Sequence, residues 1–111
     1  MSAVGDRIRE LRIAQSVSQR TLAEKVEVGF PHISKIEAGK EPASTELILR
    51  IAEALSADAD ELLLLAERLP EELTDLVREK RVLAPQFLRS WADGTITDAD
   101  VARLLKKKRG G

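Results

Sequence analysis

The 111 residues are enough for one domain, or one small domain with an appendage, and too few for two large cores. A hydrophobic share of 43% beside 33% charged residues excludes a disordered chain, and the absence of cysteine excludes both a disulfide framework and a thiolate metal site. The net charge of −1 excludes a uniformly basic nucleic-acid binder: residues 1–65 carry 8 Lys and Arg against 11 Asp and Glu, so any nucleic-acid face is a local patch.

Helix signals follow one another along the chain and nothing alternates like a strand. Val4, Ile8 and Leu11 recur at spacings of four and three, which predicts a first helix reaching about Gln15. Ser18 suits the N-cap of a short second helix from Gln19 to Val26, buried through Leu22, Ala23 and Val26. A third runs from Phe30 to Ala38, with Pro31 tolerated because it lies in the first turn. Gly39 follows as the residue able to take positive φ. After Pro42, Ser44 or Thr45 caps a fourth helix with Leu47, Ile48, Ile51, Ala52 and Leu55 inward.

Asp58 and Glu61 form a capping pair for a fifth helix, from Ala59 to about Arg68. Its segment Leu62 to Leu65 is apolar on every side, so Leu64 and Leu65 need a cover, which the remaining residues are expected to supply. Pro70 fits the first position of a sixth helix carrying Leu73, Leu76 and Val77. Pro85 opens a seventh with Phe87, Leu88 and Trp91, ended by Asp93-Gly94; Thr97 and Asp100 cap a last one with Val101, Leu104 and Leu105. The tail from Lys106 to Gly111 is expected to fray. The N-terminus lacks the apolar stretch of a signal peptide, and the longest apolar run, Leu62 to Ala66, is too short to cross a membrane. A cytoplasmic protein without membrane association is the expectation.

Two short helices joined by about three residues, Val17 to Val26 and then Phe30 to Lys40, make a helix-turn-helix whose second helix can lie in a DNA major groove. Ser18-Gln19, Leu22-Ala23, Ile33-Ser34-Lys35-Ile36-Glu37, Gly39 and Leu62 resemble the Cro/C1-type (XRE) helix-turn-helix regulators over roughly Val4 to Leu65. The resemblance implies an all-α, five-helix lambda-repressor-like DNA-binding domain in residues 1–68. Residues 69–111 are then a helical C-terminal extension with a flexible basic tail, expected to dimerise. It implies double-stranded DNA as partner, no cofactor and no metal, and a repressor that binds an inverted repeat as a homodimer.

The resemblance also assigns positions. Ile33 and Ile36 face the core; at about 100° per residue, Pro31, Ser34, Lys35 and Ala38 then face outward. Phe30, Pro31, His32, Ser34 and Lys35 are the base-reading candidates: Lys35 for guanine O6 or N7, His32 for a guanine N7, Phe30 or Pro31 for a thymine methyl. Phe30 and Pro31 serve equally well to shape the start of the helix, and His32 as an ordinary surface residue. Gln19, Arg20, Lys40 and Ser44 are phosphate candidates. Arg12 and Glu37 match a structural ion pair that would fix the angle of the third helix.

Two departures stand out. Glu27 occupies a turn position where the family usually has glycine, which suggests that Val28-Gly29 relocates the bend. The reading face also lacks Arg, Asn and Gln, so shape readout is expected to carry part of the discrimination. Leu64, Leu65, Leu69, Phe87 and Trp91 are the dimerisation candidates; an intramolecular cap is the other reading of the same residues. Lys106 to Arg109 either grip phosphate or form a solvated end. An enzyme is not expected, because one histidine, no cysteine and no Gly-rich phosphate loop leave no nucleophile and base to pair. Asp58, Asp60 and Glu61 suit a calcium site less well than helix capping. The competing functions are an antitoxin-like protein that binds a toxin through its C-terminal half and represses its own operon, and an adaptor that keeps the fold without reading DNA.

Overall fold

The computed structural model describes residues 2–110, which form helices joined by turns, with no strand among them. They divide into two compact units, residues 1–70 and 71–111.

The first unit contains α1 (Ala3–Ala14), α2 (Gln19–Lys25), α3 (Phe30–Glu37), α4 (Thr45–Ala54) and α5 (Ala59–Leu65). Four of these start on a side-chain cap. Ser2 accepts from the Gly5 amide, Ser18 from Thr21, Ser44 from Leu47, and Asp58 from Asp60 and Glu61. Each such cap stabilises its helix by about 1 kcal/mol. The core is aliphatic: Ile8, Leu22, Val26, Ile33, Ile36, Ile48, Ile51, Leu55 and Leu62 are all buried almost completely. Each contributes roughly 1.5–3 kcal/mol of burial, so the fold is held by branched side chains from all five helices.

The helices stop by one device. Ser16, Glu27, Gly39, Ser56 and Glu67 follow the C-caps and take left-handed φ of 57°, 58°, 75°, 51° and 59°. In each case the next amide reaches back to an earlier carbonyl, as in Val17 to Arg12 (2.9 Å), Val28 to Ala23 (3.0 Å), Lys40 to Lys35, Ala57 to Ala52 and Arg68 to Leu63 (all 2.8 Å). Only one of the five is glycine. This corrects two expectations. The bend between α2 and α3 sits on Glu27 itself and is not moved to Gly29, whose φ of −70° is extended backbone. The fifth helix ends at Leu65 and not near Arg68, because Glu67 reverses the chain.

Glu61 does not close a reciprocal cap with Asp58 either. Its carboxylate instead accepts from Arg7 Nε at 2.8 Å, tying α5 to α1. Leu65 packs at the edge of the core, and Leu64 is 61% exposed.

The second unit contains α6 (Glu71–Glu79), α7 (Leu83–Ala92) and α8 (Asp98–Gly110). Pro70 precedes α6, while α7 begins two residues before Pro85, which sits within the first turn where its missing N–H costs nothing. Asp93 caps α7 and Gly94 (φ 87°) turns the chain; Thr97 and Asp100 then exchange backbone-to-side-chain hydrogen bonds of 3.0 and 3.1 Å at the start of α8. The helix runs to Gly110; of the tail from Lys106 to Gly111 expected to fray, Gly111 lies outside the described residues. Phe87 and Trp91 meet edge to face at 6.0 Å, and Trp91 Nε1 donates to Asp98 at 2.6 Å. No residue from 71 to 107 is buried.

Candidate nucleic-acid interface

Two residues fix which side of α3 is hidden. Ile33 and Ile36 are 1% exposed and pack in the core with Leu22 and Val26. The remaining side carries exposed Pro31, Lys35 and Ala38, with Ser34 half-buried. The angle of α3 is set at its other end. Arg12 donates to both Glu37 oxygens at 2.8 Å from Nε and Nη2, and from Nη1 to the Val17 carbonyl at 3.0 Å. Glu37 is the only polar residue buried with the core among the described residues, and the Arg12 pair is what satisfies it. That hydrogen bonding holds the Arg12 guanidinium above its usual range despite partial burial.

Gly5 brings α1 against the same end of α3. A β-carbon on it would lie 2.4 Å from the Ile36 carbonyl oxygen and 3.0 Å from that of Glu37. Hydrophobic spacing gave no sign of this approach; a glycine inside an otherwise periodic helix was the available signal.

The sequence-derived candidates fall into three groups. Gln19 donates from Nε2 to Glu37 at 3.1 Å, so its amide braces α2 on α3. That bond uses one of the two hydrogens on Nε2 and leaves the other. Arg20 lies with its guanidinium 4.5 Å above the Phe30 ring, and Phe30 is half-buried against the core. That favours Phe30 as a platform over Phe30 as a methyl contact, while Arg20 stays at the surface beside the start of α3.

The third group contains a residue that sequence reasoning missed. Glu41 takes His32 Nδ1 on one oxygen at 2.7 Å and Lys35 Nζ on the other at 3.4 Å. The Gly39 turn brings it there: the backbone N–H groups of Lys40 and Glu41 both point back to the Lys35 carbonyl, at 2.8 and 3.4 Å. His32, then Lys35, hold the Glu41 carboxyl below its usual range. The signal was present as an acid placed directly after the glycine turn, where the chain must fold back over α3.

Lys40 is exposed and outside this cluster. Ser44 accepts from the Leu47 amide and keeps its hydroxyl proton for another acceptor. Of the remaining candidates, Leu64 and Leu69 are exposed and Leu65 half-buried in the first unit; Phe87 and Trp91 are 41% and 37% exposed in the second. Among the described residues no group of His, Asp or Glu is arranged to hold a metal ion, and no helix is long and apolar enough to cross a membrane.

The geometry has counterparts in known proteins. A family described as helix-turn-helix domain matches residues 3–65. A transcriptional regulator from the ATPase CF(0) region of Rhodospirillum rubrum is 39% identical over 57 residues, 51% of this chain and 53% of that protein. The chain spans about half or less of the curated relatives it matches. The restriction-modification controller protein C.AhdI from Aeromonas hydrophila superposes with a TM-score of 0.53 at 36% identity, over 55% of this chain and 92% of its own. The P22 c2 repressor, solved in complex with a synthetic operator, gives 0.52 at 29% identity, over 56% and 94%.

Proposed function

Because the chain belongs to the Cro/C1-type helix-turn-helix family of transcriptional regulators, we propose that it is a repressor that binds an inverted-repeat operator in the cytoplasm as a homodimer. The observation that carries this reading is the division of α3: Ile33 and Ile36 are sealed in the core while the side bearing Pro31, Ser34 and Lys35 stands open. A helix held in that way can place its N-terminal turn against base edges. Lys35 and His32 are the polar readers, with Ser34 beside them, and Pro31 offers apolar contact to a thymine methyl. Arg20, Lys40, the Ser44 hydroxyl and the amide end of α2 face phosphate. Arg12 and Glu37 hold the angle.

The module is poor in cations, so one copy has few phosphate contacts and a second copy is needed to double them. Residues 71–107 supply the means, since an entirely unburied set of helices carrying Leu73, Leu76, Phe87, Leu88 and Trp91 is apolar surface in want of a partner. A second copy satisfies it and brings two α3 helices to half-sites about 10 base pairs apart. The same surface also favours one further reading, in which a toxin binds there and the protein represses its own operon.

Random-duplex selection with the purified chain at two salt concentrations tests the proposal. The expected result is a two-fold symmetric site whose affinity falls with salt, at a log–log slope of about −4 if Arg20 and Lys40 of both copies contact phosphate. A chain that enriches no sequence, or binds without salt dependence, is the non-reading adaptor instead.

A further inference from the structure

Arg20 and Phe30 belong to different helices and meet where both begin: Arg20 is the second residue of α2 and Phe30 the first of α3. Phe30 packs against the core, which holds its ring, and the guanidinium carbon of Arg20 lies 4.5 Å from the ring centre. A ring face attracts a cation at that distance through its charge distribution and not through a hydrogen bond. The contact therefore consumes none of the five N–H donors of the guanidinium.

Among the described residues nothing else engages Arg20, which is exposed and makes no hydrogen bond or ion pair. Arg7, Arg12, Arg50 and Arg68 each give donors to a carboxylate, carbonyl or hydroxyl of their own chain. Arg20 thus combines a seat with a complete set of free donors. An arginine loose in solvent loses rotamer freedom when it meets a ligand, and one already resting on a ring has given up part of that freedom beforehand. Its chemistry does not vary with pH either, because the guanidinium stays charged and has no acceptor. Such a fork matches two acceptors side by side, and the outward side of α3 supplies no arginine of its own.

We propose that Phe30 is a positioning residue for DNA binding: by seating Arg20 at the start of α3, it presents an oriented two-pronged donor to a pair of adjacent acceptors on the duplex. The pair is guanine O6 with N7, or two oxygens of one phosphate, and the test tells them apart. This rests on the DNA-binding reading above and deepens it. Phe30 itself touches no base in this account, in place of the thymine-methyl contact expected for it.

The test measures affinity of the full chain for its selected duplex in the wild type, R20A, R20K, F30L, F30Y and the double variant R20A/F30L. R20A is expected to weaken binding roughly tenfold or more for each bound copy, the range of hydrogen bonds from a charged group. R20K keeps the charge but not the fork, and is expected to recover only part of that loss. F30L, which keeps an apolar side chain but no π face, is expected to weaken binding about two- to fivefold per copy, the range of an exposed cation–π contact. F30Y restores the face and the affinity. In the R20A background F30L is expected to cost nothing further, since Phe30 acts through Arg20.

The selected sites of R20A then name the acceptor. Loss of a guanine preference at one position identifies the base edge; uniform weakening of all duplexes, with a salt slope smaller by about one per copy, identifies phosphate. Thermal unfolding of the free variants separates a lost fold from a lost contact, and R20K tests the fork whatever F30L does to the fold. An R20A or R20K chain that binds like wild type overturns the inference. So does an F30L loss that is the same with and without Arg20, or an F30Y variant as weak as F30L. A wild-type chain that binds no duplex overturns the DNA-binding reading as well, which separates the two failures.

Discussion

Glu27 holds a left-handed conformation that costs a residue with a side chain about 1–2 kcal/mol, and Ser16, Ser56 and Glu67 hold the same one. Glycine at Glu27 removes that strain, against about 0.5–1 kcal/mol of extra chain entropy lost on folding. Glu27→Gly is therefore expected to stabilise the chain by about 0.5–1 kcal/mol in denaturant unfolding, and Ser56→Gly to do likewise without changing charge. A lower midpoint for both would show that these turns are not strained. At this scale the sequence was legible where periodicity speaks. Ile33 and Ile36, three apart, gave the buried side of α3, and with it the outward position of Lys35. It was not legible at Glu41 or in the Gln19–Glu37 hydrogen bond, because those contacts depend on how a turn folds back in space and leave no period in the chain. Glu27 was read as a misfit to be relieved by Val28-Gly29. The back-bonded Val28 amide keeps the bend where it is.

The position of α3 depends on how α1 packs against it, and Gly5 is a point of close approach. Its missing β-carbon lets the Ile36 and Glu37 carbonyls approach, and the Arg12–Glu37 pair joins the same two helices. Gly5→Ala should gain helix propensity but force backbone against a β-carbon at 2.4 Å. The second effect wins, with an expected loss of about 1–3 kcal/mol in thermal or chemical unfolding. Wild-type stability in that variant would mean that α1 can shift freely, and that α3 is not held by it. Helix existence was readable throughout from caps and spacing, since Ser18, Ser44, Asp58 and Thr97 all stand at helix starts. The far ends were less readable. The end of α5 depends on a left-handed Glu67, a conformation that residue type does not advertise. The start of α7 precedes its proline by two residues because the first turn tolerates proline at several positions.

Across the whole molecule the two units differ in kind. Residues 1–70 bury a continuous aliphatic core, whereas none of residues 71–107 is buried although they include a tryptophan, a phenylalanine and several leucines. The proposed second copy would cover that surface, and Phe87→Asp, which places a charge beside Trp91, is expected to convert a sedimenting dimer to monomer at micromolar concentration while leaving the first unit folded. A wild-type chain that sediments as a monomer over that range would remove self-association and leave another protein as the partner. The central claim, that the outer side of α3 reads base edges, is tested most directly by comparing the selected sites of the wild-type chain and Lys35→Ala. The account predicts that discrimination disappears at one position in each half-site and persists elsewhere. An unchanged site in the variant would contradict it.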